Sequence, residues 1–177
     1  NEYIDYLANG KVLFESDYQL WSSDGTDAGT KPISDAYPGA FDNYFVTSGG
    51  LTFFSRQIFA PHSRQLWVTD GTSSGTLLIS DGFVFSDIEH ITPTPNGIFF
   101  LGETEENGRE IWIADGTENG TQLLTDIVPG PESGVYDVFD FSINITEDNV
   151  LFFRGTQDNL GQIWKTDGTL AGTKMVL

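Results

Sequence analysis

The chain has 177 residues, 38% of them hydrophobic and fourteen of them Phe, which is material for one globular domain with a core. Eight basic residues against twenty-six acidic ones leave a formal charge of −18, which repels nucleic-acid phosphates and anionic membrane surfaces, so cationic, neutral or metal-ion partners are expected. With no cysteine there is no disulfide, thiolate nucleophile or Cys-based zinc site, and no apolar run approaches the ~20 residues that span a bilayer.

The first residues are Asn1-Glu2-Tyr3 where a start Met or signal peptide would stand, as expected of a processed product or an excerpt of a longer chain. In chain order, residues 1–36 carry an acidic lead at Glu2, a short loop SDYQ, the pair Leu20-Trp21 and the turn WSSDGTDAGT. Residues 37–82 repeat the plan with an acidic, aromatic lead at 42–46, then GGLTFF, the loop SRQIFAPHSRQ, Leu66-Trp67, WVTDGTSSGT and LLISD. Residues 83–128 give Asp87, Phe99-Phe100, the loop LGETEENGRE, Ile111-Trp112 and WIADGTENGT. Residues 129–177 give Asp137, Phe152-Phe153, the loop RGTQDNLGQ, Ile163-Trp164 and WKTDGTLAGT, with a last strand over 173–177.

A recurrence of about 45 to 50 residues lies in the range of propellers and solenoids. The segments between turns are short and rich in Phe, Ile, Leu, Thr and Tyr, without a helical spacing of apolar residues, and four strands per unit is the natural count. Adjacent apolar residues on one strand point to opposite faces, so Phe53-Phe54, Phe99-Phe100 and Leu66-Trp67 require that both faces of each small sheet be covered. Sheets sandwiched between like sheets around an axis meet that demand without helices. The expected fold is therefore a single all-β domain over 1–177, a β-propeller of four-stranded antiparallel blades. It is either a four-bladed ring or half of a larger propeller completed by another copy or by further sequence.

Within the repeated turn, Asp24, Asp70, Asp115 and Asp167 are expected to accept hydrogen bonds from backbone N–H groups two residues on. The first Gly supplies positive φ and the second, in xxGT, allows a bulge as the next strand begins. Strand three is expected to end after the Trp and strand four to start at the final Thr. Calcium is the rival role, but it takes six to eight oxygens and only two copies add a second acid, Asp27 or Glu118, so the four aspartates are read as structural.

LWVTDGTSSGT and IWKTDGTLAGT resemble the ELWxxDGT repeat family of secreted and surface-attached bacterial proteins, and the likeness extends over all four units. The leading Glu stands only at Glu110, with Gln19, Gln65 and Gln162 in its place elsewhere. The resemblance implies a propeller-like repeat and an extracellular or cell-surface setting, and no settled activity. The turn is also similar to the Asp-box of sialidase-type propellers, whose Asp holds a hairpin and takes no part in catalysis.

Ligands are sought where the copies differ. Arg56, Phe59, His62 and Arg64 fall in the loop of the second unit, where they would hold a sugar ring, a carboxylate or a partner's acidic patch; the alternative is a solvated loop with Phe59 folded back. Glu2, Asp42, Asp87 and Asp137 each fall near the start of a lead strand, so their carboxylates would converge on a channel and either hold calcium or magnesium or form a solvated acidic rim. Tyr37, Phe41, Tyr44, Tyr136, Phe139 and Phe141 supply either a sugar site or core. Catalysis has little support: His62 and His90 are the only neutral-pH bases, no nucleophile or metalloprotease motif appears, and the four arginines are scattered where a sialidase-like glycoside hydrolase needs three together. The expected function is a non-catalytic extracellular binding or assembly module with a protein or glycan partner at its loop face, open to homo-oligomerisation. A carbohydrate-binding, lectin-like propeller is the alternative.

Overall fold

The computed structural model describes residues 4–6, 10–35, 41–59, 62–135, 144–145, 150–157 and 160–176. Glu2, Tyr37, Tyr136, Asp137, Phe139 and Phe141 lie outside them. Among the described residues there are sixteen strands, in four sets of four, and no helix. The first unit has β1 (Ile4–Tyr6), β2 (Val12–Ser16), β3 (Gln19–Ser23) and β4 (Lys31–Pro32); the second has β5 (Phe41–Ser48), β6 (Leu51–Ile58), β7 (Ser63–Thr69) and β8 (Leu77–Leu78). The third has β9 (Phe85–Thr94), β10 (Gly97–Thr104), β11 (Gly108–Ala114) and β12 (Gln122–Leu123); the fourth has β13 (Asn144–Ile145), β14 (Leu151–Gln157), β15 (Leu160–Thr166) and β16 (Lys174–Met175). Each unit is an antiparallel meander, and the second and third are joined into one eight-stranded sheet through a single pairing of Arg64 on β7 with Phe85 on β9.

The adjacent apolar pairs divide as strand geometry requires. Phe54 packs with Leu13, Leu20 and Ile33 of the first unit, while its neighbour Phe53 packs with Phe85, Phe100 and Trp112 of the third. On the third unit Phe100 and Trp112 face back to the second, and Phe99 and Ile111 face forward to Leu151 and Phe153 of the fourth. Burying each such side chain is worth about 1.5–3 kcal/mol. In every unit the ladder sets a Phe opposite the Trp: Phe14 with Trp21, Phe54 with Trp67, Phe100 with Trp112, Phe153 with Trp164.

The outward faces of the two end units differ from the inner ones. Phe14 is half-buried where its counterparts Phe54, Phe100 and Phe153 are each 1% exposed. Phe152 and Ile163 are half-buried where Phe53 and Leu66 are fully buried, and Met175 and Val176 beside them are exposed. Among the described residues these end-face side chains belong to none of the three core clusters.

Strand three runs two residues past the Trp, not ending at it, because the ladder continues through Thr52 opposite Thr69 and its equivalents. Strand four is two residues long and starts one residue after the final Thr. It is extended by a side-chain hydroxyl beyond its end. Ser34, Ser80 and Thr125 accept from the N–H of Leu20, Leu66 and Ile111 at 2.8, 3.0 and 2.9 Å.

Candidate functional site

In all four turns one carboxylate oxygen does the structural work. Oδ1 of Asp24, Asp70, Asp115 and Asp167 accepts from the N–H of the Thr two residues on at 3.0, 2.8, 2.9 and 3.0 Å. The same oxygen accepts from that Thr hydroxyl at 2.7, 2.6, 2.7 and 2.7 Å. The hydroxyl in turn accepts from the N–H of Gly29, Gly75, Gly120 and Gly172. The hydrogen bond from the Thr side chain holds the Asp24, Asp70 and Asp167 carboxyls below the ordinary range.

The second Gly has a different cause from the expected bulge. Its φ is not positive, but a Cβ there would lie 1.9 to 2.1 Å from the Asp Oδ1. Gly is required because the carboxylate lies flat against its Cα. Gly75→Ala is therefore expected to cost about 2 kcal/mol by expelling Asp70 from the turn, and Asp70→Ala about 1 kcal/mol through lost hydrogen bonds. In the double variant the clash has no partner, so urea denaturation should give a total well below the sum of the two; strict additivity would contradict the mechanism.

The four residues read as a loop cluster are not brought together. β6 runs through Arg56 and β7 begins before Arg64, so both arginines are strand residues. Arg56 is 1% exposed and donates from Nη2 to the Tyr18 carbonyl of the first unit at 3.2 Å. Near it, burial raises the Glu15 carboxyl, and the Arg56 charge pulls it partly back. Arg64 reaches forward to Asp87 of the third unit, Nε to Oδ1 at 2.7 Å. Phe59, 47% exposed, and His62, exposed at φ +32°, alone remain at the loop tip.

Of the four acids read as a channel set, Asp42 lies on β5 and Asp87 on β9, while Glu2 and Asp137 lie outside the described residues. The Asp87 carboxylate faces two guanidinium groups, Arg64 at 2.7 Å and Arg109 at 3.6 Å. Arg109 also meets Glu89 at 3.0 Å and Glu103 at 3.5 Å, so one cation ties three strands of the third unit together. In sequence Arg109 lies in the polar stretch LGETEENGRE, which looks like loop, but it stands on β11. Among the described residues no three His, Cys, Asp or Glu side chains are grouped to hold a metal ion.

Glu110 is fully buried at the position held by Gln in the other units. Its carboxyl accepts from the Thr125 hydroxyl at 2.6 Å, the Ile127 N–H at 3.0 Å and the Val128 N–H at 3.4 Å. Burial raises its pKa to about 7, against the downward pull of those donors.

A cleft of about 540 Å³ opens between the turns of the third and fourth units, walled by Asp115 and Asp167, with Asn96 and Gln122 at its sides and Phe99 and Ile113 in its floor. The ladder places Lys11, Leu51, Gly97 and Val150 at one equivalent position, each directly before the paired residues Val12, Thr52, Ile98 and Leu151. Between the second and third units Leu51 occupies this gap, its Cδ1 2.6 Å from where a Cβ of Gly116 would stand. Gly97 offers no side chain, and none fits: at φ +147° a Cβ would meet the Ala114 carbonyl at 2.1 Å.

Among the described residues the architecture is all-β, with antiparallel sheets packed unit against unit. No family model matches the chain, and no curated protein matches it in sequence. Similar solved structures include the crystal structure of regucalcin, a calcium-binding protein from Agrobacterium tumefaciens strain C58, with a TM-score of 0.51 and 13% identity. The match covers 94% of this chain and 57% of that one, so the chain spans little more than half of that protein's length, and the likeness is one of fold.

Proposed function

We propose that the chain is a non-catalytic, extracellular or cell-surface β-propeller module whose work is binding and assembly, its four units being consecutive blades of a larger ring completed by a second copy. The observation that carries this reading is the pair of half-buried end faces, Phe14 with Trp21 on the first unit and Phe152 with Ile163 on the fourth. Inside the chain, faces of these two kinds pack on each other at every junction. An end of one copy is therefore chemically fitted to the opposite end of another, a head-to-tail contact that closes only as a ring. The resemblance to the ELWxxDGT repeats supports the extracellular setting.

Sedimentation of the purified chain across a concentration series tests the proposal. Reversible self-association is expected, and Trp21→Ala should shift it toward monomer. A monomer at every concentration would overturn the assembly reading, and discrete sugar specificity on a glycan array would move the function to the lectin alternative. Calcium, suggested by the calcium-binding protein of similar fold, is tested by its effect on the thermal midpoint; a rise at micromolar calcium would make it a ligand.

A further inference from the structure

We propose that the cleft between the third and fourth units is a socket for a lysine side chain of a partner protein, a site that deepens the binding reading above and rests on it. The pattern for the occupant is inside the molecule. At the equivalent place between the first two units stands Lys11. The carboxyls of the flanking Asp24 and Asp70 are held down first by the hydroxyls of Thr26 and Thr72, and the Lys11 charge adds a smaller pull in the same direction on both. Between the second and third units the aliphatic Leu51 fills the gap. Between the third and fourth, Gly97 contributes nothing, and the space is left as the cleft.

The empty place keeps both halves of what a lysine needs. Asp115 and Asp167 spend Oδ1 on their own turns, and among the described residues neither Oδ2 accepts a hydrogen bond. A strongly hydrated ammonium on an alkyl stem suits two carboxylates above the apolar floor of Phe99 and Ile113. Asn96 and Gln122 offer amide oxygens to its remaining protons. Lys165 also acts on Asp167, but it shares a strand face with Phe152 and so approaches from the far side of the fourth unit. The excess of acid over the whole chain draws a basic partner toward the mouth.

The test is an amide NMR titration of the whole chain with the peptide acetyl-Gly-Lys-Gly-amide and with the same peptide acetylated on Nζ. The lysine peptide is expected to shift the amides of Asn96, Gly120, Gln122 and Gly168, and the acetylated peptide to leave them in place. The double variant Asp115→Asn with Asp167→Asn keeps an Oδ1 acceptor for each turn and loses both charges, so binding should weaken by about tenfold or more. Gln122→Lys, which keeps both aspartates and gives up only the Gln122 donation to the Asn119 carbonyl, should compete from within and weaken binding as well. Equal shifts from both peptides, shifts spread over the acidic surface, or binding unchanged in both variants would overturn the socket. Sedimentation of the same samples decides the assembly reading separately, so either can fail while the other stands.

Discussion

Trp112→Ala is expected to lower the unfolding free energy by about 3–5 kcal/mol, the range for emptying a large aromatic from a packed core. Trp112 is 1% exposed and sits among Phe83 and Phe85, each with ring centroid 4.8 Å away and edge-on, with Phe100 stacked at 6.3 Å. The site has little means of collapse, because the surrounding rings belong to two strands and a loop fixed by the ladder. Even the backbone is fitted to the indole: a Cβ on Gly102 would lie 2.8 Å from Trp112 Cδ1 and 2.7 Å from Phe85 Cε1. Urea denaturation followed by circular dichroism measures the loss. A cost near 1 kcal/mol would mean that the junction of the second and third units is not the packed core described above.

The second large effect depends on pH. The Glu110 carboxyl has a pKa of about 7 in the fold against an ordinary 4.5. Between those values the unfolded chain has released the proton and the folded chain has kept it, so this group makes stability fall as pH rises from about 4.5 to 7. Below that window both states are protonated, and above it both are ionised, so the contribution is level on either side. The span is worth at most about 3 kcal/mol. Glu110→Gln removes the ionisation and retains an acceptor for the Ile127 N–H, matching Gln19, Gln65 and Gln162. The variant should be more stable than the parent at pH 7 to 8 and close to it near pH 4.5. A stability difference that does not change with pH would contradict the linkage.

Much of the scaffold was legible in the chain itself, because paired apolar neighbours such as Phe53 and Phe54 leave no arrangement except one with cover on both sides. The Asp of the repeated turn was legible for the same kind of reason, since its acceptor and the Thr donors lie two residues apart. The role of Gly75 was not, because its cause is a carboxylate folded back over it through space. The hairpin that carries Arg56 and Arg64 is polar enough to look like a loop in sequence; the strands extend through both, with partners that include the Tyr18 carbonyl and Asp87 on neighbouring units. The cleft was hidden too: Gly97 reads as an ordinary turn glycine until the ladder aligns it with Lys11 and Leu51.

Each of the three core clusters draws its members from two successive units. Such a chain melts like a short zipper, with coupling only between nearest neighbours. The middle units, clamped from both sides, should surrender their amide protons last, and the outermost ladders should fray independently of them. Hydrogen exchange would then rise in steps from the centre toward each terminus, and any molecule that seats on an end face would slow exchange there first.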